Sequence, residues 1–125
     1  MAPIEPDAPF AYEGLDRLFH EKARLGIVSS LAGRAEGLGF SELKSLCALT
    51  DGNLSRHLRV LELAGYVDIE KGYAGKRPCT RCRLSPEGHV RFLEYLAVLE
   101  SVLRRATKAT ARAKGAARRL SRQPT

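Results

Sequence analysis

The chain has 125 residues, enough for one domain, with 44% hydrophobic residues, 6% aromatics and no tryptophan; this sets a small core of mainly Leu, Val, Ile and Ala and favours helices. No run approaches the ~18 apolar residues of a membrane span, and the opening MAPIEPDAPF lacks the basic start and apolar block of a secretory signal. The net charge of +7 is local: all fourteen acids lie at or before Glu100 and outnumber by one the Lys and Arg up to residue 103, whereas Arg104, Arg105, Lys108, Arg112, Lys114, Arg118, Arg119 and Arg122 follow with no acid among them.

In chain order, Pro3, Pro6 and Pro9 make residues 1–11 a flexible arm. A helix is expected from about Tyr12 to Phe19 and a second from about Glu21 to Ala32, where Ala23, Ile27, Val28 and Leu31 recur at helical spacing. The glycine-rich GRAEGLG is a loop, and Phe40 is a candidate residue of a very short strand. Ser41 is placed to cap a third helix, with Glu42 at its positive end and Leu43, Leu46 and Cys47 on one face. Thr50 caps a fourth. The two helices are separated only by the residues around Ala48–Thr50, which is a helix-turn-helix arrangement.

The stretch TDGNLSRHLRVLELAGYV holds the sharpest signal. At ~100° per residue, Leu54, His57, Leu58 and Leu61 share one third of the circle, and Gly52, Ser55, Arg56 and Arg59 share the opposite side. Gly65 ends the helix, being the residue that takes a left-handed conformation cheaply. Tyr66–Tyr73 and CTRCRLS both alternate, with turn chemistry in AGKRP (74–78) between them, so the pair is expected to form a β-hairpin. Ser85, Pro86 and Glu87 start a last helix whose apolar residues Val90, Leu93, Leu96, Ala97, Leu99, Val102, Leu103 and Ala106 form a long stripe. Residues 104–125 form a basic tail, helical near its start and frayed later.

The stretches EKARLGIVSSLAG, FSELKSLCALTDGNLSRHLRVLELAGYVDIEKG and KRPCTRCRLSPEG, with the trailing helix, resemble the MarR/ArsR-like winged helix-turn-helix transcriptional regulators. The resemblance covers about residues 13–103 and is strongest for a small subgroup with DGNLSRHL…L…GYV and a wing of the form RP-x-T-x-x-x-L-S/T-x-x-G. It implies a dimeric, cytoplasmic, sequence-specific DNA-binding repressor or activator, with repression the expected sign. Three cysteines without a signal peptide also fit reduced thiols in a cytosol.

The expected fold is mainly α with a small β-hairpin (α+β): a winged helix-turn-helix domain over residues 12–103 with a long C-terminal dimerisation helix. Gly52, Ser55, Arg56 and Arg59 are expected to enter the major groove, with Asn53 near the leading end. Arg suits this because it bonds guanine O6 and N7 bidentately. Ser41, Thr50 and the wing residues Lys76, Arg77 and Arg81 are placed on phosphate or the minor groove. Leu93, Leu96, Leu99, Val102 and Leu103, helped by Leu15 and Leu18, would form a homodimer seam, setting two reading helices about one DNA turn apart on a pseudo-palindromic double-stranded DNA operator.

His57, among leucines, fits a hydrogen-bonded helix-positioning role better than metal binding. Cys79 and Cys82 on one strand lie ~10 Å apart on opposite faces, beyond disulfide reach and poor for one metal ion. No metal or cofactor is expected. No phosphate-cradling loop, nucleophile elbow or paired His/Glu zinc motif suggests an enzyme. Related regulators often bind small-molecule effectors, but no polar cluster here announces one. Two other readings stay open: a winged-helix protein–protein interaction module, and sequence-blind nucleic-acid binding driven by the basic tail.

Overall fold

A computed structural model describes Phe10 and residues 15–122, the side chains of 121 and 122 excepted. The arm at 1–9 and the first part of the expected helix at 12–14 lie outside the described residues. The elements are α1 (Arg17–His20), α2 (Lys22–Ala32), β1 (Leu38–Gly39), α3 (Phe40–Cys47), α4 (Asp51–Leu63), β2 (Val67–Ala74), β3 (Arg77–Leu84) and α5 (Pro86–Arg122). The chain divides into two compact units, Asp16–Tyr95 and Met1–Leu15 with Leu96–Thr125.

Within the first unit, Phe19, Ile27, Val28, Leu31, Leu38, Leu43, Leu54, Leu61 and Val67 are almost wholly buried. The few aromatics are concentrated rather than absent from this core. Phe19 stacks on Tyr66 at 5.2 Å and meets Phe92 and Tyr95 at 5.6 Å. Tyr95 and Phe19 are thus the largest fully buried side chains, set within a core that is otherwise mainly Leu, Ile and Val. The Tyr95 hydroxyl is 2.9 Å from His20 Nδ1, which satisfies its polar tip.

Four local expectations change. Leu15 and Asp16 are not helical: α1 starts at Arg17, because the Asp16 carboxylate accepts from Leu18 N–H at 2.9 Å and caps it. Phe40 opens α3 instead of extending a strand, and the residue before it, Gly39, is the N-cap rather than Ser41. The Glu42 side chain reaches back to Gly39 N–H at 3.4 Å, so a glycine serves where the sequence offered a hydroxyl. On α3, Leu43 is buried and Cys47 half-buried, but Leu46 is exposed, since the covered strip is no wider than the i, i+4 pair. Lastly, the helical tail runs on to Arg122, consistent with its content of alanine, arginine and lysine, all strong helix formers.

The sheet is antiparallel in the order β1-β3-β2. The short β1 pairs Leu38 with Cys82 and Gly39 with Arg81, adding a third strand to the hairpin. Gly37, at φ +83°, admits this approach: a Cβ there would fall 2.4 Å from the Cys82 carbonyl oxygen. The hairpin pairs Val67 with Leu84 through to Ala74 with Arg77, so its turn is only Gly75–Lys76 and not the whole of 74–78. Gly75 at φ +67°, with no positive φ at Lys76, follows the II′ pattern that matches strand twist. β1 reaches β3 only at Arg81 and Cys82, so at Pro78 one side of β3 is an edge, where proline is tolerated.

Candidate nucleic-acid interface

The turn between α3 and α4 sets the pose of the second helix. Ala48 takes the left-handed conformation (φ 52°, ψ 47°) and its N–H, with that of Leu49, closes on the end of α3. Thr50 Oγ1 then accepts from Asn53 N–H at 3.2 Å and caps α4. Lys44 and Asp51 pair across the turn at 2.9 Å. That pairing offsets the negative charge that Asp51 would otherwise present to an anion at this helix end.

α4 is anchored by Leu54, Leu58 and Leu61, each at most 2% exposed. At ~1.5–3 kcal/mol for each fully buried side chain, rotating this helix to bury its other face is prohibitive. His57 joins the anchor. Its Nδ1 accepts from Arg24 Nε at 3.3 Å and its Nε2 lies 3.6 Å from a Glu21 carboxylate oxygen. Glu21 also pairs with Arg24 at 2.9 Å, closing a triad that ties α4 to the start of α2. The neutral tautomer with its proton on Nε2 suits both contacts. Arg24 and Glu21 were not readable as partners of His57, because nothing in the local pattern links positions more than thirty residues apart.

The opposite face is open. Thr50, Gly52, Asn53, Ser55, Arg56 and Arg59 are all exposed, and Arg56 Nη2 donates to Asn53 Oδ1 at 3.4 Å. A cleft of about 620 Å³ lies between α4 and the sheet, lined by Ser55, Arg59 and Glu62 from the helix and Ile69, Lys71 and Thr80 from the strands, over Phe40 and Leu58. A second cleft, of about 610 Å³, shares Phe40 and Thr80 and reaches Ser41, Arg77 and Arg81. Through these two shared residues the clefts adjoin, and between them they are lined by Ser41, Ser55, Arg59, Arg77 and Arg81. Lys76 is exposed at the hairpin turn.

Lys71 belongs to this surface and sequence reasoning passed over it. The signal was available: alternation puts Lys71 on the face of Ile69. Arg81 is partly committed elsewhere, its Nη1 donating to the carbonyls of Glu36 and Gly37 at 3.2 Å, which braces the loop before β1. Its remaining N–H groups stay in play. Cys79 is exposed and Cys82 buried, as opposite strand faces require. Burial, with the Glu62 carboxylate adding to it, pushes the Cys82 thiol up from its ordinary value. Among the described residues no group of three or more His, Cys, Asp and Glu is placed to hold a metal ion, and no helix is long and apolar enough to cross a membrane.

Comparison with known proteins identifies this arrangement. A family model described as winged helix DNA-binding domain matches residues 23–103. The uncharacterized protein MJ0432 of Methanocaldococcus jannaschii is 35% identical over 80 residues, covering 64% of this chain and 86% of that one. The solved structure of a transcriptional regulator homologue from Pyrococcus horikoshii OT3 is 33% identical, with a TM-score of 0.66 over 70% of this chain and 86% of its own. The M. tuberculosis transcriptional regulator MOSR, solved in complex with DNA, shares the fold at 17% identity, TM-score 0.60, over 94% of this chain and 91% of its own. A MarR-family regulator from Silicibacter pomeroyi does so at 18% and 0.55, over 86% and 75%. With the model matching well over half of its length, the chain belongs to the winged helix DNA-binding domain family, its fold that of the MarR-type transcriptional regulators.

Proposed function

We propose that this protein is a sequence-specific transcriptional repressor that binds double-stranded DNA as a homodimer. α4 lies in the major groove, with Arg56 and Arg59 on base edges and Gly52, Asn53 and Ser55 beside them; Ser41 and Thr50 contact phosphate. Lys76 and Arg77, with Arg81 assisting, contact phosphate or the minor groove. The observation that carries this reading is the division of α4: Leu54, His57, Leu58 and Leu61 are buried while every polar residue assigned to the groove is exposed. A helix held this firmly on one side presents its guanidinium groups at a fixed height, which bidentate base recognition needs.

The dimer is supported by apolar side chains exposed on α5: Leu93 at 62%, Leu96 at 38% and Leu103 at 60%. Leu99 and Val102 are half-buried, as are Leu15 and Leu18. Joined with a second copy, two α4 helices would read half-sites ~34 Å apart on a pseudo-palindromic operator.

Selection of bound duplexes from a random pool tests the reading. A two-fold-related consensus is expected, with Arg56→Ala and Arg59→Ala each losing ~1–3 kcal/mol of discrimination at one position per half-site. A pool that returns no consensus, or a monomer in sedimentation at micromolar concentration, contradicts it.

A further inference from the structure

The helix beyond the family match carries a charge pattern that the recognition surface does not use. α5 continues as regular helix to Arg122, whereas the family model ends at residue 103. At ~100° per residue, Arg104, Lys108, Arg112 and Arg119 fall within about a quarter of the helix circumference. Arg105 and Arg118 flank this row within about 40°, and Lys114 stands apart, about 80° beyond it. Ala106, Ala109, Thr110, Ala113, Ala117 and Leu120 occupy the other side. The cations therefore keep to one half of the helix, with the four-residue row at its centre, and are not the scatter that their positions along the sequence suggest. All four side chains of the row are exposed.

Three physical points decide what such a face is for. Arg104, Lys108 and Arg112 follow one another at i, i+4, a like-charge spacing that weakens a helix by ~0.2–0.5 kcal/mol per pair. No acid after Glu100 relieves it. The favourable interaction of cations with the helix C-terminus reaches only the last turn, so it accounts for Arg119 at most. The opposite side is alanine and threonine with the single leucine Leu120, too little apolar bulk, and no Trp or Phe, to bury a helix in a lipid interface. What remains is a polyanion of regular charge that needs no apolar contact, and the row of about 23 Å from Arg104 to Arg119 spans several phosphates of a duplex.

We propose that the 104–119 face of α5 is a second, sequence-independent binding surface for the DNA phosphate backbone. It rests on duplex DNA being the ligand, but not on which residues read its bases. It sets affinity and salt dependence; α4 sets selectivity.

The test uses the full chain on a random-sequence duplex over a salt series, with the variant Arg104→Gln/Lys108→Gln/Arg112→Gln/Arg119→Gln. Gln keeps helix propensity, checked by circular dichroism. The slope of log affinity against log salt is expected to become shallower by about 0.9 per lost phosphate contact, so by roughly two to four. The preference for a selected duplex over the random one is expected to hold within about two-fold, since these contacts carry no sequence information. The charge-keeping variant Arg104→Lys/Arg112→Lys/Arg119→Lys is expected to retain the parent slope. An unchanged slope in the Gln variant overturns the proposal, as does an equal loss in the Lys variant. Loss of binding to vesicles containing 30% phosphatidylserine with the DNA slope intact assigns the face to lipid and also overturns it. Failure of the α4 reading looks different: Arg56→Ala/Arg59→Ala would leave selectivity untouched while the tail variant still altered the slope.

Discussion

At Gly52 an added methyl group meets nothing within 4 Å, so the fold itself does not ask for glycine there. Glycine within a helix costs up to ~1 kcal/mol relative to alanine, less in the first turn. Close approach of a DNA backbone is a reason to tolerate that cost. Gly52→Ala is therefore expected to stabilise the protein by about 0.5–1 kcal/mol in urea unfolding while weakening operator binding; a variant that gains stability and binds as before removes Gly52 from the interface. Cysteine chemistry is decided by strand face. Brief treatment of the native protein with iodoacetamide is expected to label Cys79 and spare Cys82, read by mass spectrometry of peptides, because one is exposed and the other buried with its thiol pushed up.

Where α5 meets the start of β2, the elements are joined by hydrogen bonds through the backbone and the Ser85 hydroxyl. Ser85 N–H donates to the Tyr66 carbonyl at 2.9 Å, Ser85 Oγ donates to the Gly65 carbonyl at 2.6 Å, and Gly88 N–H donates to Ser85 Oγ at 2.9 Å. This clasp starts α5 against the beginning of β2. A Cβ on Gly88 would fall 2.2 Å from the Tyr66 carbonyl oxygen, backbone that cannot swing aside. Gly88→Ala is expected to cost about 2–3 kcal/mol or more, seen as a lower urea midpoint, whereas the same change at exposed Gly72, where nothing is within 4 Å, should be nearly silent. The clasp was half legible: Ser85, Pro86 and Glu87 announced a helix start, but only the folded chain shows that Gly88 must lack a side chain because Tyr66 passes over it. The α4 anchor divides in the same way. Helical spacing exposed its leucine face, while Arg24 and Glu21 around His57 depend on α2 lying alongside.

For the molecule as a whole, burial leaves a signature in alkaline solution. Burial raises the Cys82 thiol and the Tyr95 hydroxyl above their ordinary values of 9.0 and 10.0, and Tyr66 is raised by burial and by the Asp16 carboxylate beside it. In each case the folded state holds its proton more tightly than the unfolded chain. This contribution to stability is therefore complete below about pH 9 and is lost as pH rises through the folded-state values. Urea midpoints are expected to fall progressively from pH 9 to 11, and less steeply in Tyr95→Phe. A flat profile over that range would show that these groups do not feel their burial.

What the sequence determined by itself was whatever repeats within a few residues. Periodicity marked α4 and its two faces, Thr50 and Gly65 marked its ends, and alternation marked the hairpin and the opposite faces of Cys79 and Cys82. These features are set by bond geometry and by the partition of apolar side chains from water, and both act locally. The tertiary structure decided whatever depends on meetings between distant segments. It recruited Leu38–Gly39 as a third strand, moved the α3 cap to Gly39, gathered the aromatics around Phe19, closed the Glu21–Arg24–His57 triad and brought Lys71 beside Arg59. The physical reason is that a side chain's partner across the fold leaves no trace in its own neighbourhood: position along the chain carries the period of an element, but only packing determines which surface that element meets.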